Sequence, residues 1–75
     1  MNGDQRERKI LETLAEHGPL HVMGIAREVD DHPISVDRTC TRLYNDGHIY
    51  PCGRGQYQLT NHGRQRLSDT YDQST

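Results

Sequence analysis

Apolar residues recur along this chain in short runs of distinct period, and the breaks between the runs predict its elements. Ile10, Leu11, Leu14 and Ala15 fall at helical spacing until Gly18-Pro19 stops them, so a first helix is expected from Asp4 to His17. Asp4-Gln5-Arg6-Glu7 has the spacing of a capping box, with Asp4 placed to accept from the backbone at Glu7. Leu20 follows as a candidate strand of a residue or two. Val22, Ile25, Ala26 and Val29 then mark one face of a short second helix, with His21 at its cap position. Asp30-Asp31-His32-Pro33 makes a turn, and Pro33 suits the first position of a third helix because its missing donor would be unpaired there anyway. That helix is expected to reach Asp46, with Gly47 as a left-handed stop.

Beyond Gly47 the period changes to two. His48 to Cys52 and Gln56 to Thr60 are extended runs joined by Gly53-Arg54-Gly55, a hairpin tip whose glycines can take positive φ. Tyr57 and Leu59 share one face of the second run, and Ile49 partners them from the facing strand. Thr60 can cap a fourth helix in which Gly63 and Leu67 point inward. The apolar pattern ends at Ser68, so residues 1–68 are expected to form the domain and 69–75 a disordered tail. Helix, turn, helix, hairpin and closing helix is the layout of a winged helix-turn-helix. The expected class is therefore α+β, mainly α: a three-helix core, a two- or three-stranded wing and a C-terminal helix.

Composition narrows what such a fold could do. With 75 residues there is enough chain for one domain, and at this size about 60% of the unfolded surface is buried on folding. Trp and Phe are absent and only 31% of residues are hydrophobic, so the core must come from Leu, Ile, Val, Ala, Met and some Tyr. No run approaches the roughly 18 apolar residues that cross a bilayer, and Met1-Asn2-Gly3-Asp4 lacks the basic and then apolar order of a signal peptide. A cytoplasmic protein without a membrane partner is the expectation. Cys40 and Cys52 fit neither a disulfide framework nor a close-spaced metal pair, in keeping with a reducing compartment. His48 and Cys52, four apart on a strand, would stand about 13 Å from each other, so neither a metal nor any other cofactor is expected. Cys40 falls on the core stripe of the third helix, which leaves Cys52 as the redox candidate. Without a nucleophile motif, a glycine-rich phosphate loop or a carboxylate pair, the chain does not read as an enzyme.

Charge adds a complication. Eleven acids outweigh nine bases for a net charge of −2, where a nucleic-acid binder would be expected to be basic. The charges are segregated, however. Gly47 to Ser68 holds no carboxylate but contains Arg54, Arg64 and Arg66, while acids gather at Glu28, Asp30 and Asp31 and in the tail. Eight of the nine bases are Arg, with Lys9 the exception. Acid-rich, Lys-poor composition is similar to that of proteins from salt-loving archaea, and in molar salt a screening length of about 3 Å confines phosphate repulsion to contact range.

The third helix carries the candidate chemistry. At about 100° per residue Val36, Cys40 and Leu43 form a narrow inward stripe. Ile34, Arg38, Thr41, Arg42 and Asn45 lie opposite, with Ser35 and Asp37 on the shoulders. Arg can bond guanine edges twice, Asn can do so with adenine, Thr and Ile can meet a thymine methyl, and Ser or Thr can hold phosphate. Any solvated helix face is polar and carries arginines. Two details go beyond that: Arg38 and Arg42 are one turn apart and can enter one groove, and Ile34 is an aliphatic with no core to join. Arg54, between two glycines, can reach a phosphate or a narrow minor groove. Arg64 and Arg66, and Arg6, Arg8 and Lys9 on the first helix, are expected to be solvated or paired with nearby acids.

Gly18-Pro19-Leu20-His21-Val22, Ile25-Ala26-Arg27-Glu28-Val29, Val36 to Leu43, Asn45-Asp46-Gly47-His48-Ile49 and Tyr57-Gln58-Leu59-Thr60-Asn61-His62-Gly63 together resemble an archaeal winged helix-turn-helix regulator, most closely the small repressor-like proteins of haloarchaea and their phages. The resemblance runs from Gly18 to Leu67. It implies sequence-specific binding of double-stranded DNA, with Ser35, Arg38, Thr39 and Arg42 on the reading helix and Arg54 in the wing. Two positions depart from the family pattern: Asp30 stands where Gly is common, and His48 replaces a commoner apolar residue. The expected function is a transcriptional regulator, binding as a homodimer to an inverted repeat one helical turn between half-sites. A winged-helix protein interaction module is the alternative, followed by a small RNA-binding or replication accessory protein.

Overall fold

Helix α1 (Asn2–His17) runs along one side of the domain and packs against α2 (Val22–Val29), α3 (Pro33–Asn45) and α4 (Asn61–Gln73). Between them lies a three-stranded antiparallel sheet of β1 (Leu20–His21), β2 (Ile49–Cys52) and β3 (Gln56–Leu59), with β3 in the centre. This computed structural model describes the backbone of residues 2–73 and the side chains of residues 5–68. No helix among the described residues is long and apolar enough to cross a membrane.

The core is the set of periodic positions brought together. Ile10, Leu11 and Leu14 of α1 meet Ile25 and Ala26 of α2, Val36, Cys40 and Leu43 of α3, Ile49 and Leu59 of the sheet, and Leu67 of α4. The hairpin register aligns Ile49 with Leu59 and Pro51 with Tyr57, so the inward face of each strand is the one the alternation predicts. Pro51 has no donor and sits in an edge strand, where a ladder bond is not required. The expected strand at Leu20 forms and pairs with Tyr57, which makes the wing three-stranded.

Turn chemistry follows the residues closely. Asp30 ends α2 in a left-handed conformation, φ 57°, with its amide donating to the Ala26 carbonyl; Asp tolerates this region better than most side chains. Pro33 opens α3 as expected, and His32 caps it, its Nδ1 accepting from the Ile34 amide at 3.2 Å. His21 holds the corresponding place before α2 without a side-chain bond. Thr60 does more than cap: its Oγ1 donates to the Gly47 carbonyl at 2.6 Å and accepts from the Gly63 amide at 3.0 Å. One side chain therefore ties the end of α3 to the start of α4.

One expectation at the start of the chain changes. α1 begins at Asn2, so Asp4 lies within the helix rather than at its cap; the Asp4 side chain is outside the described residues. Glu7, the other half of the expected capping box, is buried and turns to Arg66 on α4, 2.9 Å away. A carboxylate leaves a helix end readily when a guanidinium offers a charge-assisted bond. At the other terminus α4 continues past Ser68 to Gln73, and the side chains from 69 onward lie outside the described residues.

Candidate nucleic-acid interface

Helix α3 presents three sides. The inward one is sealed: Val36, Cys40 and Leu43 are at most 1% exposed. Burial, assisted by Asp37, pushes the Cys40 thiol up to about 12, so it stays protonated and serves as a small core residue. Cys52 is half-buried, with Sγ 3.7 Å from Gln58 Oε1.

The outward ridge carries Ile34, Arg38, Thr41 and Asn45, all exposed. Ile34 is 63% exposed despite being aliphatic. Thr41 Oγ1 donates to the Asp37 carbonyl at 3.0 Å, and Thr39 Oγ1 donates likewise to the Ser35 carbonyl. Both hydroxyl protons are spent on the helix itself. What these threonines offer outward is a methyl group and a lone pair, which favours apolar contact over donation to phosphate.

The flanks differ in character. Toward the wing, Asp37 and Tyr44 approach Tyr57 of β3, whose phenol is raised above its usual range by burial and then by Cys40, Asp37 and Tyr44. Asp37, awkward in the sequence for a phosphate-facing helix, thus sits on the wing side. Toward α1, a depression of about 220 Å³ is lined by Arg6, Ser35, Arg38, Thr39 and Arg42. Arg6 lies 3.4 Å from Asp31, and Arg42 lies 4.0 Å from Glu7. Arg8 pairs with Glu12 one turn on, and His17 with Glu28 across α1 and α2.

Four of the residues singled out from the sequence, Ser35, Arg38, Thr39 and Arg42, are therefore gathered around one hollow. Ile34, Thr41 and Asn45 continue the ridge beside it. Arg54 is exposed on a different element, the tip between β2 and β3, where Gly53 and Gly55 take φ of 64° and 74°. Arg6 and Tyr44 join the flanks, although neither stands out from the sequence pattern. Tyr44 could have been found, since the helical period puts it on the shoulder beside Asp37. Arg6 could not, because nothing in a local pattern says that α1 crosses α3 there.

Behind the interface, His48 and His62 stack with ring centroids 4.8 Å apart and planes 4° from parallel. Among the described residues nothing hydrogen-bonds to His48 Nδ1, which is buried. Burial first, then Arg66 and His62, lower its pKa below 6.5, against smaller opposing effects of Asp46 and Glu7. A group whose folded pKa is depressed supports the fold fully above its unfolded pKa, about 6.5 for His, and loses that support as pH falls toward the folded value. Thermal melts between pH 8 and 5 should show an acid loss that is smaller in His48→Gln. An equal loss in both proteins would assign it to other groups. Among the described residues, no group of three or more His, Cys, Asp or Glu side chains is placed to hold a metal ion.

The helix-turn-helix of α2 and α3, followed by an antiparallel hairpin and a closing helix, defines a winged helix-turn-helix fold. The chain matches no protein-family profile and no curated protein sequence. Among solved structures it is similar to the Zalpha domain of Carassius auratus PKZ, crystallised in complex with Z-DNA. The TM-score is 0.77 at 22% identity, over 80% of this chain and 100% of that domain. At this identity the likeness is one of fold.

Proposed function

We propose that this chain binds double-stranded DNA and regulates transcription, placing the α3 ridge in a groove and the Arg54 wing on the adjoining backbone or minor groove. The observation that carries this reading is the ridge itself. An aliphatic, Ile34, is 63% exposed beside Arg38 on the outward side of the second helix of a helix-turn-helix, where base edges would exclude it from water. That a domain of the same fold is crystallised with Z-DNA supports a nucleic-acid partner. Net charge −2 argues against indiscriminate binding and leaves the affinity to a few local contacts.

Selection of bound fragments from a random duplex library, at low and at molar salt, would supply the site. On it, Arg38→Ala and Arg42→Ala should each lose about tenfold in affinity, and Arg38→Ala should also relax base preference. If both variants keep wild-type affinity and preference, α3 is not the reader. Including an alternating duplex in left-handed form separates recognition of a sequence from recognition of a helical form. An inverted repeat with two chains per duplex would mark the homodimer. The net negative charge favours a second reading, a protein interaction module; absence of DNA retention at every salt concentration, with a defined protein bound instead, would establish it.

A further inference from the structure

We propose that the hollow between α1 and α3 is a phosphate subsite, in which Arg6 of α1 and Arg42 of α3 hold one backbone phosphate while Arg38 stands at its rim. This rests on the DNA-binding reading above and adds a third element, α1, to the reader helix and the wing. The hollow, about 220 Å³, is lined by arginines from two elements and by Ser35. Like charges gathered around one depression repel unless an anion lies among them.

The carboxylates nearby do not fill that role. Glu7 already receives Arg66 at 2.9 Å and is 4.0 Å from Arg42. Asp31 lies 3.4 Å from Arg6 Nε. Asp37 falls with Tyr44 on the opposite flank of α3, away from Ser35, Thr39 and Arg42. Among the described residues, three arginines and no carboxylate line the hollow. The contacts to Arg6 and Arg42 are also long, and these side chains are 52% and 70% exposed. Such pairs contribute little, whereas an Arg–phosphate bond is charge-assisted and often bidentate. A phosphate can therefore displace these carboxylates from Arg6 and Arg42 at small cost. Ser35 lies in the first turn of α3, which contains no acid, and the helix dipole there favours an anion.

A division of labour follows. The ridge of Ile34, Arg38 and Asn45 meets base edges, while Arg6 and Arg42 meet the strand bordering the groove. Phosphate contacts position a protein without reading sequence.

The test uses the full chain and a selected duplex. Arg6→Ala should weaken binding about threefold or more, equally across sequences, and should flatten the log–log salt dependence by about 0.9. Arg6→Gln, which keeps length and helix propensity, should do the same. A methylphosphonate at the bordering phosphate should weaken wild-type binding but cost Arg6→Ala nothing further, because the two changes remove one contact. The inference is overturned if wild type binds and Arg6→Ala matches its affinity and salt slope, if base preference changes instead, or if the methylphosphonate and Arg6→Ala losses simply add. Failure of wild type to bind any duplex would overturn the underlying reading as well, and is recognised before any variant is made.

Discussion

Arg66→Met is expected to cost the fold about 3 kcal/mol, the largest single effect foreseen here, because it strands a carboxylate inside the protein. Glu7 is 7% exposed on the inner side of α1, and its close partner is Arg66 Nη1 at 2.9 Å. Arg42, at 4.0 Å and directed toward solvent, is too distant to replace it. The pair as a whole need not be a large stabiliser, since desolvating both charges offsets much of their attraction. Breaking it on one side is different, because the remaining charge keeps its desolvation cost and loses its compensation. Glu7→Leu combined with Arg66→Met should therefore recover most of the loss, an outcome that a simple sum of single variants would not produce. Chemical denaturation of the four proteins measures this directly. A double variant no better than Arg66→Met alone would mean that Arg66 acts through its packed stem rather than its charge.

Gly63→Ala should destabilise by about 2 kcal/mol, the reverse of the gain of nearly 1 kcal/mol that helix propensity alone would give. Gly63 lies in the first turn of α4, buried where α4 crosses the chain entering β2. An added Cβ would collide with the His48 carbonyl and meet Leu59 Cδ2 at 3.0 Å. That carbonyl cannot easily retreat. It accepts from the Thr60 amide at 3.1 Å, and Thr60 is itself bonded to Gly47. For a domain of this size the loss corresponds to a fall in Tm of about 10 °C or more, easily read by circular dichroism. A higher Tm in Gly63→Ala would show that the close approach relaxes at no cost. The same contact explains how His48, unusual at its position in the sequence, is accommodated: its carbonyl supports Thr60 while its ring stacks on His62.

The elements were legible because each is announced locally. Pro33 opens α3, Gly47 closes it, Gly53-Arg54-Gly55 turns the hairpin, and the alternation from Ile49 to Leu59 sets its faces. The inward stripe of Val36, Cys40 and Leu43 was equally plain, since the helical period alone divides buried from exposed. Glu7 was misplaced for the same reason that these succeeded. A local rule assigned it to its own helix end, whereas its partner Arg66 is far along the chain.

The candidate interface divides in the same manner. Sequence by itself determined the ridge, because which residues share the outer side of one helix depends only on 3.6 residues per turn. It also determined that few cations would carry any nucleic-acid contact, because charge is a property of composition. Only the tertiary structure decided what flanks that ridge: Tyr57 of β3 along one side, Arg6 of α1 along the other, and Glu7 beneath Arg42 and Arg66. Those neighbours come from separate elements, and their meeting depends on the angle at which helices settle when side chains fill one core. Periodicity within a single element carries no information about that angle.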